Sequence, residues 1–343
     1  MSNKENKVNW KVVNESLEKW GKKTIFNAYG LPEIVDPSHT VFALPEVDIQ
    51  PAWDIPQKAA ISTTIVGAFH SNRINPNHPM TPEQIYNSAR EACLAGAPIV
   101  HIHVRNEQGY NVLDPELFKE VIEPLKKEFP KTVFDGCLVA GLSDLDTEWK
   151  KMIQVLESGL FDTTPVNTVA TYCGDTLLAK SPAMMIEKAR LCQEYGVKPQ
   201  IAVYSDGDID NAKRYLCDTG LLEPPYHFII LPAMPGCSPM PNPRAMVESL
   251  MHSWNLIKDI DPKTVVMVCA AGRASSYLAT LSLILGLHVR IGMEDTVWKW
   301  PHRNEMIENN AQHFLGFKNL VEFLGREVAT SNEYRAMIGL DPR

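Results

Sequence analysis

The chain has 343 residues, 45% of them apolar and 22% charged, the composition of an ordinary globular protein with one large domain or two smaller ones. Acidic residues outnumber basic ones 41 to 33, a net charge of −8, and no Lys/Arg-rich block follows the first few residues. That balance argues against a nucleic-acid partner, because phosphate binding needs a clustered positive field; the ligands expected are small molecules.

Residues 1–58 read as an irregular arm. An amphipathic helix is expected over 10–20, and Pro32, Pro37, Pro45, Pro51 and Pro56 break the remainder. The first seven residues lack the apolar core of a secretory leader. From residue 59 a different rhythm begins, in which short apolar or β-branched runs alternate with segments of helical period. A strand over 61–68 is followed by a helix over 82–94 behind Thr81. The next pairs are 98–104 with 115–128, 132–140 with 146–157, and 161–169 with 182–195. The last four are 200–204 with 209–217, 227–231 with 243–257, 264–269 with 275–285, and 288–292 with 304–324. Several of these helices open with Pro at the first position or with a Thr, Ser or Asp cap. The most apolar stretch, 278–289, is interrupted by Thr280, Ser282 and Gly286. It falls short of the ~18–20 residues that span a bilayer, so no membrane role is expected. Seven cysteines with no C-x-x-C pair suggest neither a disulfide framework nor a thiolate zinc knuckle, and point to a reducing, cytoplasmic setting.

Strict alternation requires parallel strands, and eight such units in roughly 250 residues match a closed (β/α)₈ TIM barrel. The first turn, Gly67-Ala-Phe-His-Ser-Asn, lacks the G-x-G-x-x-G that a doubly wound dinucleotide fold would carry. Residues 59–343 are thus expected to form a catalytic barrel with a C-terminal helical extension. Chemistry is then sought at the C-terminal ends of the strands.

Strand two ends His101-Ile-His103-Val-Arg105. Alternate residues share a strand face, so the two imidazoles point the same way. They form either half a metal site or a pair of hydrogen-bonded core histidines. Strand eight reads His288-Val-Arg290-Ile-Gly292-Met-Glu294-Asp295, which places an arginine and two adjacent carboxylates at the same rim. Strands one and eight adjoin in a closed barrel, so strand two is one strand removed. Two imidazoles and a carboxylate make a common catalytic zinc set. The plainer reading is a helix cap by Asp295 and a salt bridge by Arg290.

The H-x-H-x-R and R-x-G-x-E-D motifs resemble the β-keto acid cleavage enzyme family, as do Gly67-Ala68, Pro79-Met80-Thr81-Pro82-Glu83 and Ala95-Gly96-Ala97. The likeness runs in matching order from about residue 59 to the end. It implies a zinc-dependent barrel that condenses a β-keto acid with acetyl-CoA, giving acetoacetate and an acyl-CoA. It further implies that His101, His103 and Glu294 hold Zn²⁺ or another divalent metal, while Arg290 pairs with Asp295, the base. Cys137 falls where the family has a substrate-facing serine, and Thr164 and Asn167 are the candidates for its strand-four contacts. Acidic residues after strands one and five meet an amino group in the family's type member; here Phe69 and Ser205-Asp206 stand there, so an amino-substituted substrate is disfavoured. Phe69 is equally readable as packing. Ser238, in a Gly/Pro-rich loop after strand six, either meets the thioester arm or sits in a stiff connector. The turn from Cys269 to Ser276 is either a phosphate site or a simple capped turn. The family also suggests a homo-oligomer, dimer or tetramer. Rival readings are a metal-dependent hydrolase or lyase, whose H-x-H would stand on strand one or seven, and a non-catalytic metabolite-binding barrel.

Overall fold

The apolar runs become eight strands that close into one barrel in the computed structural model. The structure describes residues 8–20, 52–138, 144–168, 170–173, 176–232 and 238–343. Two units make up the chain, residues 1–54 and 55–343. Within the first, helix α1 spans Trp10–Trp20; most of the expected arm lies outside the described residues.

The barrel strands are β1 (Ile61–Thr64), β2 (Ile99–Ile102), β3 (Val133–Gly136), β4 (Thr163–Asn167), β5 (Lys198–Val203), β6 (His227–Ile230), β7 (Val265–Cys269) and β8 (His288–Gly292). Each is parallel to its neighbours, and β8 pairs with β1 while β4 pairs with β5, so the protein is a (β/α)₈ barrel. Between strands run α2 (Pro82–Leu94), α3 (Pro115–Glu128), α4 (Leu145–Glu157), α5 (Pro182–Glu194), α6 (Asp206–Ala212), α7 (Pro243–Lys258) and α8 (Ser275–Ile284). Two more follow β8, α9 (Asn310–Phe323) and α10 (Ser331–Met337). Their starts follow the local chemistry. Thr81 and Gln84 form a capping box at α2, while Asp114, Ser181 and Asn242 cap α3, α5 and α7 ahead of a proline.

Period two along the strands divides the core. Ile61, Val100, Phe134, Val166, Ile201, Phe228 and Val289 pack outward against the helices, whereas Ile99, Val133, Ala202, Ile229 and Met267 fill the barrel with Tyr334 of α10. Tyr334 is buried at the end where strands begin, with its hydroxyl 2.8 Å from His227 Nε2. Among the described residues, no helix is long and apolar enough to cross a membrane.

Some expected bounds shift. The strand read over 132–140 stops at Gly136, with residues 139 and 140 outside the described residues, and that over 61–68 stops at Thr64. The helix read from 304 starts behind the Asn309 cap; the preceding residues run extended, with Trp298 bridged to Met306. After β4 the sequence reading missed an antiparallel hairpin, Ala170–Cys173 with Thr176–Ala179.

Candidate metal centre at the barrel mouth

His101 lies on the inward face of β2 and His103 just beyond its end, with both rings buried and 5.4 Å apart. Their Nδ1 atoms are committed. That of His101 donates to Asp135 Oδ2 at 2.6 Å, and that of His103 to Asn111 Oδ1 at 2.7 Å. Both Nε2 atoms are thereby turned to one carboxylate from the loop after β8: His101 Nε2 lies 3.0 Å from Glu294 Oε2, and His103 Nε2 lies 3.2 Å from Glu294 Oε1. His101 Nε2 and Glu294 Oε2 are buried with no hydrogen bond between them. Just past the end of β3 and in phase with the inward Asp135, Cys137 places its sulfur within 4.8 Å of a nitrogen of each ring.

Burial works against charge on His101 and His103, yet the anions around them prevail. Glu294 and Asp135 raise the pKa of His101, and Cys137 with Glu294 raises that of His103 to about 10. Burial would lift the Cys137 thiol, but the two imidazoles bring it to about 6. Two ring nitrogens holding protons against a carboxylate and a thiol form a donor set that a divalent cation can enter in place of those protons. The Asp135 and Asn111 bonds supply the outer support that orients metal-binding imidazoles. Gly67 leaves space for the carboxylate, since a Cβ there would stand 2.2 Å from Glu294 Cγ. The residues present therefore fit a metal ion.

Beside this cluster Arg290, inward on β8 and buried, grips Asp295 with two bonds, Nε to Oδ2 at 3.0 Å and Nη2 to Oδ1 at 2.5 Å. Its Nη2 also lies 3.4 Å from Glu294 Oε1. For Asp295, burial and Glu294 outweigh Arg290, and its pKa is raised. The balance between burial and cation, which sequence leaves open, falls on the side of a more basic carboxylate.

The structure brings together His101, His103, Glu294, Cys137, Arg290 and Asp295. Asn167 faces the same interior and donates to the Tyr204 hydroxyl at 2.7 Å. Thr164 is a correction: it shares the outward face of Val166, and its hydroxyl donates to the Gly136 carbonyl at 2.6 Å, so Thr163 is the inward threonine. Phe69 is 56% exposed on the loop after β1. Ser205 precedes α6 and makes no capping bond, while the Ser238 hydroxyl donates to the Tyr204 carbonyl at 3.0 Å. In the turn after β7, Ser275 and Ser276 are buried at the start of α8.

Sequence reasoning missed Asp135, Asn111 and His70. Asp135 was legible, being in phase with Cys137 on β3. Asn111 was not, since a short antiparallel ladder between Val104–Arg105 and Asn111–Val112 returns it to His103. His70 is held near Asp295 and Glu294 by the fold of its loop, where Arg105 binds the carbonyls of Gly67 and His70.

A model of the β-keto acid cleavage enzyme family matches residues 58–340. The chain is 28% identical over 290 residues to a 3-keto-5-aminohexanoate cleavage enzyme of Fusobacterium nucleatum, covering 83% of this chain and 98% of that protein. It is 26% identical over 284 residues to a 3-oxoadipate:acetyl-CoA acetyltransferase of Cupriavidus necator, covering 83% and 95%. With a 3-dehydrocarnitine:acetyl-CoA trimethylamine transferase of Rhizobium meliloti it shares 26% over 304 residues, covering 82% and 97%. Among solved structures, apo ObcA superposes with a TM-score of 0.64 at 16% identity, over 77% of this chain and 66% of that one. At that identity the likeness concerns the fold alone.

Proposed function

The chain belongs to the β-keto acid cleavage enzyme family, and from that premise we propose that it condenses a β-keto acid with acetyl-CoA, giving acetoacetate and the CoA ester of the remaining acyl fragment. The observation that carries this reading is the meeting of His101 Nε2 and His103 Nε2 with the two oxygens of Glu294. These three residues would hold a divalent cation. The nearby thiol of Cys137 adds a soft donor, which favours zinc over magnesium or calcium. A bound cation would act as a Lewis acid towards the adjacent ketone and carboxylate oxygens of the substrate.

The chain's own groups do the rest. Asp295, fixed by Arg290 through two bonds, takes the proton from the carbon between ketone and carboxylate. The resulting enolate carbon attacks the acetyl carbonyl, and the CoA thiolate leaves. That thiolate then attacks the original ketone, the bond between ketone carbon and former α-carbon breaks, and the electron pair stays on acetoacetate, which takes up the proton held by Asp295. Arg290 keeps its charge throughout and holds the carboxylate in one orientation between the two proton transfers. Cys137 and Asn167 face the substrate, with Phe69, Ser205 and Ser238 around the rim.

Cytoplasmic residence is supported by the cysteines, since Cys93, Cys137, Cys192, Cys217 and Cys269 are all unpaired. A homo-oligomer, dimer or tetramer, is supported by Leu94 and Phe323, exposed apolar residues at the C-terminal ends of helices α2 and α9. The deciding assay incubates the zinc-loaded protein with acetyl-CoA and a panel of β-keto acids. Paired appearance of acetoacetate and a new acyl-CoA supports the reading; release of free acid and CoA instead would make the enzyme a hydrolase.

A further inference from the structure

Across the mouth from the base, one phenol is fixed on three sides. Tyr204 follows the last residue of β5, and β5 stands three strands from β8 and four from β1 in the closed barrel. Its backbone N–H donates to Asp208 Oδ2 at 2.8 Å, and its carbonyl accepts the Ser238 hydroxyl at 3.0 Å. Its side chain turns inward, where the residue is 7% exposed and its hydroxyl oxygen accepts from Asn167 Nδ2 at 2.7 Å. A hydroxyl that accepts one bond still has a proton to give. Among the described residues no oxygen or nitrogen takes it. Burial raises the phenol's pKa well above its ordinary value, so that proton stays in place.

Strand register ties this proton to the reacting centre. Val203 pairs with Ile230 and Ile230 with Val268, so the next inward residues, Tyr204, Leu231 and Cys269, lie side by side, and they pack in one interior cluster. Cys269 in turn pairs with Arg290, whose Nη2 lies 3.7 Å from its sulfur and which clasps Asp295. One row of inward side chains thus runs from the phenol to the clamp of the base. The proposed reaction forms two oxyanions near that row. One arises on the former ketone oxygen, beside His101, His103 and Glu294. The other arises on the acetyl oxygen when the enolate carbon adds to acetyl-CoA, and Nε and Nη2 of Arg290 are already spent on Asp295 and Glu294.

We infer that the Tyr204 hydroxyl donates to the acetyl carbonyl oxygen of acetyl-CoA and is a further catalytic residue, holding the oxyanion formed as the enolate carbon bonds the carbonyl carbon. The inference rests on the β-keto acid reading of the centre. The electron pair leaving the C=O bond comes to rest on oxygen, and the hydrogen bond strengthens without transfer of the phenol proton. Collapse returns that pair to the carbonyl as the C–S bond breaks and CoA leaves as thiolate. A donor locked in advance by Asp208, Ser238 and Asn167 needs no reorientation as the charge develops, which is the condition for strong stabilisation. Proton removal by Asp295 precedes this step and does not call on the phenol.

The test is Tyr204→Phe, which keeps the ring and its packing and removes the donor. Two rates separate its possible roles. Single-turnover formation of acyl-CoA, with both substrates saturating and the β-keto acid that reacts fastest in the panel, is expected to fall by about 10²- to 10³-fold, the usual cost of one oxyanion donor. Exchange of solvent deuterium into carbon 2 of the same acid without acetyl-CoA, above the rate without protein, reads proton removal alone and should stay within about threefold of wild type. The KM for acetyl-CoA should change little, since the bond is made as charge develops. A loss under about tenfold in the first rate would make the hydroxyl a packing group and overturn the inference. An equal loss in both rates would make it a support of the base or of the fold, and overturn it too. If the wild type yields acetoacetate and the variant keeps its rate, only the inference falls; if the wild type yields none, the proposed function fails and takes the inference with it.

Discussion

Glu294 and Asp295 are adjacent carboxylates with different surroundings, one facing two imidazoles and the other clasped by Arg290. Their replacement should separate binding from turnover. Glu294→Gln is expected to lose metal and activity together, measured as metal per chain after dialysis beside the acetoacetate rate; metal retained at wild-type stoichiometry would remove Glu294 from the ligand set. Asp295→Asn should keep the metal and lose about 10²- to 10⁴-fold in kcat, the usual contribution of a positioned general base. A kcat within threefold of wild type would take the base role away. The identities of these residues were legible in the sequence because H-x-H exposes one strand face by its period and E-D follows a strand end. Asn111 was not, because it reaches the site from a short ladder whose position depends on the closed barrel.

At the scale of elements, β4 is where the sequence reading went astray. Thr163 and Thr164 are both polar and both buried, so the usual contrast between apolar and polar faces is missing, and nothing in residue type marks the inward one. The Val166 side chain settles it by packing outward against the helices. Loop ends make a second demand that shows only in space. In Gly67→Ala the new methyl would meet the Glu294 side chain, so metal affinity should drop by roughly 10- to 100-fold while circular dichroism stays that of the wild type. Gly292 has φ +134, and a Cβ there would stand 2.1 Å from the Thr64 carbonyl oxygen, on the neighbouring strand. Gly292→Ala is therefore expected to cost roughly 2–4 kcal/mol of stability by urea unfolding, strain and overlap combined. Wild-type midpoints for that variant would show that the β8–β1 seam yields more easily than its packing suggests.

For the whole molecule, the alternation of eight strand and helix units was enough to specify the barrel, since each unit needs the next to cover its apolar face. What seals its lower end was not legible, because Tyr334 arrives there from the last helix of the chain. That lower end also makes the fold sensitive to acid. Burial lowers His227 to about 3, and lowers His288, further depressed by Arg326, to about 4, against an ordinary 6.5. Between pH 6.5 and 4 the unfolded chain binds these protons and the folded chain does not, so stability is fully present above 6.5 and falls with pH, by up to about 1.4 kcal/mol per unit for each histidine. The urea midpoint should fall from pH 7 to pH 5, and less steeply in His227→Gln; an equal slope would mean that His227 does not titrate on unfolding.

The central claim is carbon–carbon bond exchange at a cation held by His101, His103 and Glu294. It is tested most directly by mass spectrometry of acetoacetate formed from acetyl-CoA labelled with ¹³C in both acetyl carbons and an unlabelled β-keto acid. Acetoacetate carrying both heavy carbons in its terminal acetyl half, formed by the zinc-loaded protein and abolished by chelation or by Glu294→Gln, is the expected result. Unlabelled acetoacetate, or labelled product at an undiminished rate in Glu294→Gln, would contradict it.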